Sequence, residues 1–328
     1  MTMTARLSDM TGFRAPSLIR NPHVQTLLPR ILRPPPLVWR GEWFDLPDGD
    51  EVELGWVSPE PQDDEAPILV MFHGLEGSIA SPYASAILGT AAHVGHRALI
   101  MHFRGCGSRP NRRPRAYHSG DTGDARVVLE ELRRRYPLAP LRVCGVSLGG
   151  NMLLRLLAEP GSEVLGIASA LVISAPLDLA ACSERLSQGF SRVYERHLLK
   201  SLKRKVIPRL VSGELPLEAS AEQVARVKRL RDYDDIITAP LHGFANAEDY
   251  YTRASSGPVL DRIAVPTWLV HAEDDPFMPA DLLQRFPRRS AKLKVEVSRH
   301  GGHVGFMRGS GWRYTPWLEE RTIQFLGG

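Results

Sequence analysis

The 328-residue chain is 43% apolar and 24% charged, a composition that excludes a disordered or low-complexity protein and fits one large core or a core with an insertion. Its 41 Lys/Arg against 37 Asp/Glu give a net charge of +4 spread along the chain, too diffuse to point to a nucleic-acid partner. Three widely spaced cysteines, Cys106, Cys144 and Cys182, exclude a disulfide framework and a CxxC metal site.

The first thirty residues hold neither a continuous apolar run nor a small-residue cleavage site, and no later stretch approaches roughly eighteen uninterrupted apolar residues. The expected compartment is therefore cytoplasmic, with reduced thiols. Residues 1–36 read as a Pro-rich arm packing on the core. LVWRGEWFDL and EVELGWV flank the turn set Pro-Asp-Gly-Asp at 47–50, which predicts a β-hairpin.

From PILVMF onward, short apolar β-rich runs alternate with helix-length segments. The strand candidates are RALIMHF (97–103), LRVCGV (141–146), SALVISA (169–175), TWLVHA (267–272) and LKVEV (293–297). Between them SGDTGDARVVLEELRRRYP predicts a helix, with Thr122 or Asp121 to cap its start and Arg133 to Arg135 suited to the negative end of its dipole. Continuous apolar strands alternating with helices mean a mostly parallel sheet covered on both faces. A front hairpin followed by parallel strands is the α/β-hydrolase order.

One interval breaks the alternation. Roughly ninety residues of helical composition separate SALVISAP from VPTWLVHA, too long for a simple crossover. They read as a helical cap over 178–262, inserted between core parts 37–177 and 263–328.

A serine hydroxyl attacks a carbonyl only when a neighbouring base takes its proton, and the oxyanion formed needs backbone donors aimed at it. Gly145-Val146-Ser147-Leu148-Gly149 sits where strand LRVCGV turns into helix LGGNMLLRLLAE, the setting in which G-x-S-x-G forms a nucleophile elbow. That makes Ser147 the candidate nucleophile. The acid is expected after strand TWLVHA, in Glu273-Asp274-Asp275-Pro276. Asp275 is preferred, Asp274 being left to cap the turn or meet solvent.

After the last strand, His300-Gly301-Gly302-His303 offers two imidazoles. The Gly-Gly step lets the loop fold back over the serine and makes His303 the expected base, with His300 in a supporting loop role. The oxyanion donors are expected to be the main-chain N–H groups of Leu148 and of Leu75, the latter in HGLEG. This chemistry calls for no cofactor and no metal.

Beyond these parts, the chain resembles the YheT-like branch of the AB hydrolase superfamily, the AB hydrolase 4 family, nearly end to end. The resemblance rests on NPHVQTLLPR, HGLEGS (73–78), FRGCGSRPN with RAYHSGDTGD (103–124), GVSLGGN (145–151), HGFANAEDYY (242–251), AEDDPFMP and GGHVGF. It implies carboxylic-ester hydrolysis with Ser147, Asp275 and His303 as triad. Eukaryotic relatives act on acylglycerols or phospholipids or as alcohol acyltransferases.

The expected partner is thus a small-molecule ester, an acyl lipid included. Two other readings stand beside hydrolysis: acyl transfer to an alcohol on the same triad, and a noncatalytic binding module on the same fold. In the loop 104–120, Arg104 and His118 are candidates to touch substrate, with a packed loop hydrogen-bonded to itself as the equal alternative, while Cys106 has no base of its own and reads as a buried or bystander thiol. Two segments are densely basic, RPNRRPR (109–115) and Phe190 to Leu210, the latter with seven Lys/Arg against Glu195. In it Val193, Leu198, Leu202 and Val206 recur at helical spacing, so one side of the helix can cover an apolar pocket and the other meet solvent or an anionic membrane surface.

Overall fold

A computed structural model of the chain describes residues 12–32, 34–310 and 313–327; residues 1–11 and Arg33 of the expected N-terminal arm lie outside the described residues. Eight strands form one sheet: β1 (Trp39–Asp45), β2 (Glu51–Val57), β3 (Ile68–Phe72), β4 (Arg97–Met101), β5 (Leu141–Val146), β6 (Ile167–Ile173), β7 (Thr267–Ala272) and β8 (Leu293–Ser298). Their order is β1-β2-β4-β3-β5-β6-β7-β8, with β2 antiparallel to both neighbours and every later pair parallel. The hairpin and strands expected from the sequence form with their boundaries moved by at most two or three residues.

The period of two along each strand sorts apolar side chains into two cores. Ile68, Val70 and Phe72 of β3 join Leu141 and Val143 of β5 on one face, while Leu69 and Met71 join Cys144 and Val146 on the other. After α1 (Pro22–Leu32) come α2 (Pro82–His93), α3 (Gly123–Arg135) and α4 (Leu148–Ala158). Helices α3 and α4 cover the first face with Val128, Leu129, Leu132, Leu153 and Leu157. Helix α2 covers the second with Ile87, Leu88 and Ala91. Burying a Leu, Ile or Phe fully is worth about 1.5–3 kcal/mol, so both faces are firmly held.

At the start of α3 the side-chain cap expected from Thr122 does not form. Its hydroxyl donates instead to Glu159, 2.6 Å away, tying α3 to the end of α4. At the other end Arg133 donates to the carbonyls of Pro137 and Ala139, and Arg134 and Arg135 pair with Glu131.

Between β6 and β7 the chain forms α5 (Leu179–Leu186), α6 (Arg192–Val211), α7 (Ala221–Arg226), α8 (Leu230–Tyr233), α9 (Ala239–Leu241) and α10 (Ala247–Ala254). Local signals start several of these helices. Asp178 and Asn246 accept from the N–H groups of Ala181 and Asp249, and Ser220 with Gln223 makes a full capping box. Leu186, Tyr194, Leu199, Val206, Val224 and Ile237 form a small core of their own. Val259, Leu260 and Ile263, just before β7, pack instead into the main core under α4. A short hairpin, β9 (Met307–Ser310) and β10 (Arg313–Pro316), and helix α11 (Trp317–Gly327) close the chain. Trp317 and Phe325 complete the α2 face. No helix among the described residues is long and apolar enough to cross a membrane.

Candidate active site

The site forms at the carboxyl ends of the central strands. Ser147, the one residue between β5 and α4, has φ 53° and ψ −120°. A non-glycine residue at such a φ costs on the order of 1–3 kcal/mol and persists only when its surroundings hold it. The neighbours do so by close approach. A Cβ on Gly145 would lie 2.6 Å from the Gly149 carbonyl oxygen, and one on Gly149 would lie 2.5 Å from that of His73. Only glycine lets strand, turn and helix meet there, as the G-x-S-x-G spacing requires.

His303 lies in the loop between β8 and β9. Its Nε2 is 3.0 Å from Ser147 Oγ and its Nδ1 is 2.8 Å from Asp275 Oδ2. With Nδ1–H donating to the carboxylate, Nε2 is left to accept the serine proton. Asp275, on the turn after β7, is almost wholly buried, and its other oxygen accepts from the N–H of Phe277 at 2.8 Å. The neighbouring acid faces elsewhere: Asp274 accepts from Gly302 N–H at 3.0 Å and lies 3.3 Å from His300 Nδ1. It holds the base of the histidine loop rather than meeting solvent.

Leu75 and Leu148, the expected oxyanion donors, line the same cavity as Ser147, and among the described residues neither N–H is engaged by another main-chain group. The adjoining amides are engaged: Gly74 N–H donates to Tyr83 OH at 3.0 Å and Glu76 N–H to Tyr117 OH at 2.8 Å. Beneath this loop His73 is fully buried, with Nδ1–H donating to the Gly74 carbonyl and Nε2 accepting from Phe103 N–H. Burial, aided by His102, holds its pKa down at about 3, so the ring is a neutral strut.

Over the serine lies a cavity of about 1180 Å³, roofed by α6 and α8. Val193, Leu198, Leu202 and Val206, the stripe read from the sequence, all line it, together with Leu186 and Ile237. The Phe277 ring stacks on His303 with centroids 3.9 Å apart and planes 7° from parallel, and Tyr194 of α6 packs on Phe277. Glu76 joins roof to floor: its carboxylate accepts from Lys205 Nζ (2.8 Å), Ser201 Oγ (2.6 Å) and Tyr117 OH (3.0 Å).

The loop 104–120 is mostly structural. Arg104 borders the cavity, but its guanidinium is taken up by Asp124 (2.6 and 2.7 Å), Asp48 (2.7 Å) and Asp50 (2.9 Å), so it locks the loop to the front hairpin rather than being free for substrate. Cys106 contacts Lys205 and Glu76, and burial pushes its thiol up to about 11, away from nucleophilic use at neutral pH. His118 does line the cavity, beside His242.

His118, Asp121 and His242 bring their ligand atoms within 4.8 Å of one another. Gly120 N–H donates to His118 Nδ1, which leaves the ring proton on Nε2, and Arg115 donates to Asp121 at 2.8 Å. Burial, then the second imidazole and Arg115, lowers His118 to about 3, while burial raises Asp121 to about 6. The Arg115 charge beside Asp121 disfavours a dication there, while the neutral imidazoles suit hydrogen bonding to a polar group in the cavity.

The sheet order, the strained serine elbow and the acid–histidine pairing define an α/β hydrolase. The α/β hydrolase fold family model matches residues 67–310, and the chain belongs to that family. Within it the chain is of the YheT-like branch: it is 44% identical to Escherichia coli YheT over 327 residues, 98% of this chain and 93% of that protein. Human phospholipase ABHD3 is 26% identical, over 92% of this chain and 75% of its own. Among solved structures, the Pyrococcus furiosus esterase Pf2001 shares the fold with a TM-score of 0.57 at 16% identity, over 89% of this chain and 90% of that one.

Proposed function

We propose that this chain is a serine hydrolase that cleaves carboxylic esters through an acyl-enzyme intermediate. Ser147 is the nucleophile, His303 the general base and acid, Asp275 the group that orients and stabilises the imidazolium, and the N–H groups of Leu75 and Leu148 the oxyanion donors. The observation that carries this reading is the continuous line from Asp275 through both nitrogens of His303 to Ser147, at 2.8 and 3.0 Å. The esterase and phospholipase names of relatives and structural neighbours agree with it.

Ser147 Oγ forms a bond to the ester carbonyl carbon as its proton passes to His303 Nε2. The carbonyl oxygen becomes an anion facing the two N–H groups. The intermediate collapses by breaking the bond to the alkoxide, which leaves with the proton from Nε2. Water then attacks the acyl-serine, giving a proton to Nε2, and collapse returns it to Ser147 and releases the acid. Asp275 accepts the hydrogen bond from Nδ1 throughout and so keeps that proton in place.

The helices within 178–262 act in this reading as a cap whose apolar lining takes the acyl part of the substrate. The volume suits a chain of many carbons, since ligand sites of about 300–1,000 Å³ already enclose drug-sized molecules. Hydrolysis of p-nitrophenyl esters tests the proposal. Ser147→Ala and His303→Ala should each remove turnover while leaving the fold intact, because triad members act as a unit. Either variant retaining more than about a tenth of wild-type activity refutes the assignment.

A further inference from the structure

The NPHVQT segment takes no part in the reaction as derived, yet it holds the histidine loop at two points. The loop needs holding. Gly302 has φ 59°, Val304 φ 62° and Phe306 φ 41°, so the backbone on either side of His303 lies in the left-handed region, two of the three at non-glycine residues.

Helix α1 supplies two side chains to that backbone. Thr26 Oγ donates its single proton to the Pro22 carbonyl at 2.7 Å, which turns the oxygen's lone pairs outward, and it accepts the main-chain N–H of His303 itself at 2.9 Å. Gln25 is fully buried and pairs with both main-chain groups of Met307: its Oε1 accepts from the N–H at 2.6 Å and its Nε2 donates to the carbonyl at 3.1 Å. The second amide proton goes to the Ile19 carbonyl at 3.0 Å. No polar atom of Gln25 is left unused, as a buried amide requires.

The loop is also pressed onto α1 by its glycines. A Cβ on Gly302 would stand 2.5 Å from the Pro22 carbonyl oxygen, and one on Gly305 would overlap the carbonyl of Gln25. Contacts thus fall at residues 302, 303, 305 and 307, on both sides of the imidazole.

We propose that Thr26 and Gln25 are positioning residues for His303: they fix the backbone of residues 302–307 so that the imidazole spans Ser147 and Asp275. The inference rests on His303 being the base. Thr26 governs where the His303 backbone nitrogen sits, and Gln25 fixes the exit of the loop into β9. An error of about 1 Å in the placement of a reacting group can cost on the order of a hundredfold in rate. Thr26 borders the cavity, but valine keeps its shape there, so substrate binding should change little.

The test compares Thr26→Val, Thr26→Ser and Gln25→Met with wild type and His303→Ala, using p-nitrophenyl ester kinetics and the low-field proton NMR signal of the His303 Nδ1–H bonded to Asp275. Valine matches threonine in shape without the hydroxyl, and serine restores it. The expected result for Thr26→Val and Gln25→Met is a ten- to hundredfold lower kcat, KM within about threefold of wild type, and a lost or displaced low-field signal. Thr26→Ser should recover kcat to within about threefold.

Wild-type kcat and an unchanged signal in Thr26→Val and Gln25→Met, with His303→Ala inactive, overturn the proposal and leave the triad standing. An active His303→Ala removes the triad reading itself, a separate failure. If Thr26→Val does not fold, Thr26→Ala takes its place. Full activity in that variant contradicts the proposal, and a tenfold or greater loss that serine reverses upholds it.

Discussion

The floor and the roof of the cavity are built from different elements and held by different means. The floor is strand ends and tight turns: Gly145 and Gly149 leave no room for a side chain beneath Ser147, and His73 and Asp275 are buried beside it. The roof is helices with a small core, tied down through Glu76 to Lys205 and Ser201. Its outer side carries Arg192, Arg196 and Lys200 at four-residue spacing, exposed and without an ion pair among the described residues. Close packing resists every added atom, whereas a helical layer held at a few polar ties, Glu76 with Lys205 and Ser201, Ser191 with Pro276 and Arg209 with Arg113, can change its lining without losing its shape. Chemistry is therefore assigned to the floor and choice of substrate to the roof.

The sharpest way to break this division is in the floor. Asp275→Asn should lower kcat by about ten-thousandfold, the cost of holding the wrong imidazole tautomer, while Asp274→Asn, which touches only Gly302 and His300, should lose far less. Equal losses in steady-state kinetics mean that the acid is placed one residue wrong. Gly149→Ala, whose Cβ would press on two main-chain carbonyls, should cost about 3 kcal/mol or more in urea unfolding. Leu202→Ala in the roof should instead raise KM for a long-chain ester several-fold and leave a short ester unaffected, because it removes lining and no catalytic contact. A fall in short-ester kcat as large as the long-chain effect contradicts the division.

A pH effect sharpens the same contrast. His73 has a folded pKa of about 3 against an ordinary 6.5, so the unfolded chain binds its proton first. The stability it confers is complete above pH 6.5 and is lost as pH falls toward 3. Asp121 and Asp234, both raised by burial to about 6, act in the opposite sense: they favour the folded state as pH falls from 6 toward 4. The readout is therefore one residue's slope: His73→Gln should flatten the fall in unfolding free energy between pH 6.5 and 4 by about one proton's worth. The smallest expected effect is at the outer roof. Phosphatidylserine vesicles at low salt should bind the protein more than neutral vesicles do, with the difference fading at physiological salt and in Arg192→Glu/Lys200→Glu; equal sedimentation with both lipids excludes the interfacial role.

The sequence was most informative where one local rule dominates. Strands buried on both faces read as continuous apolar runs, and the serine elbow reads from its glycines because nothing larger fits. Asp275 was separable from Asp274 by its place four residues before Pro279, and the structure brings it, not Asp274, to His303. What escaped were contacts between segments far apart in the chain. Thr26 reaches His303 across 277 positions, and no local pattern encodes that pairing. Phe277, stacked on His303, carries no motif of its own in the sequence. Whether Arg104 meets substrate or structure was left open by the sequence because its partners Asp48 and Asp50 belong to a distant hairpin. Thr122 looked like a cap and found Glu159 instead, a tertiary bond in place of a local one.

The central claim is that Ser147 is a nucleophile activated by His303, and covalent trapping tests it most directly. Folded protein treated with a fluorophosphonate should gain one adduct, seen in the intact mass and mapped to the peptide bearing Ser147. The adduct should be absent in Ser147→Ala and should form at least about a hundredfold more slowly in His303→Ala. No adduct on folded wild-type protein, or an adduct on a different residue, would contradict the account.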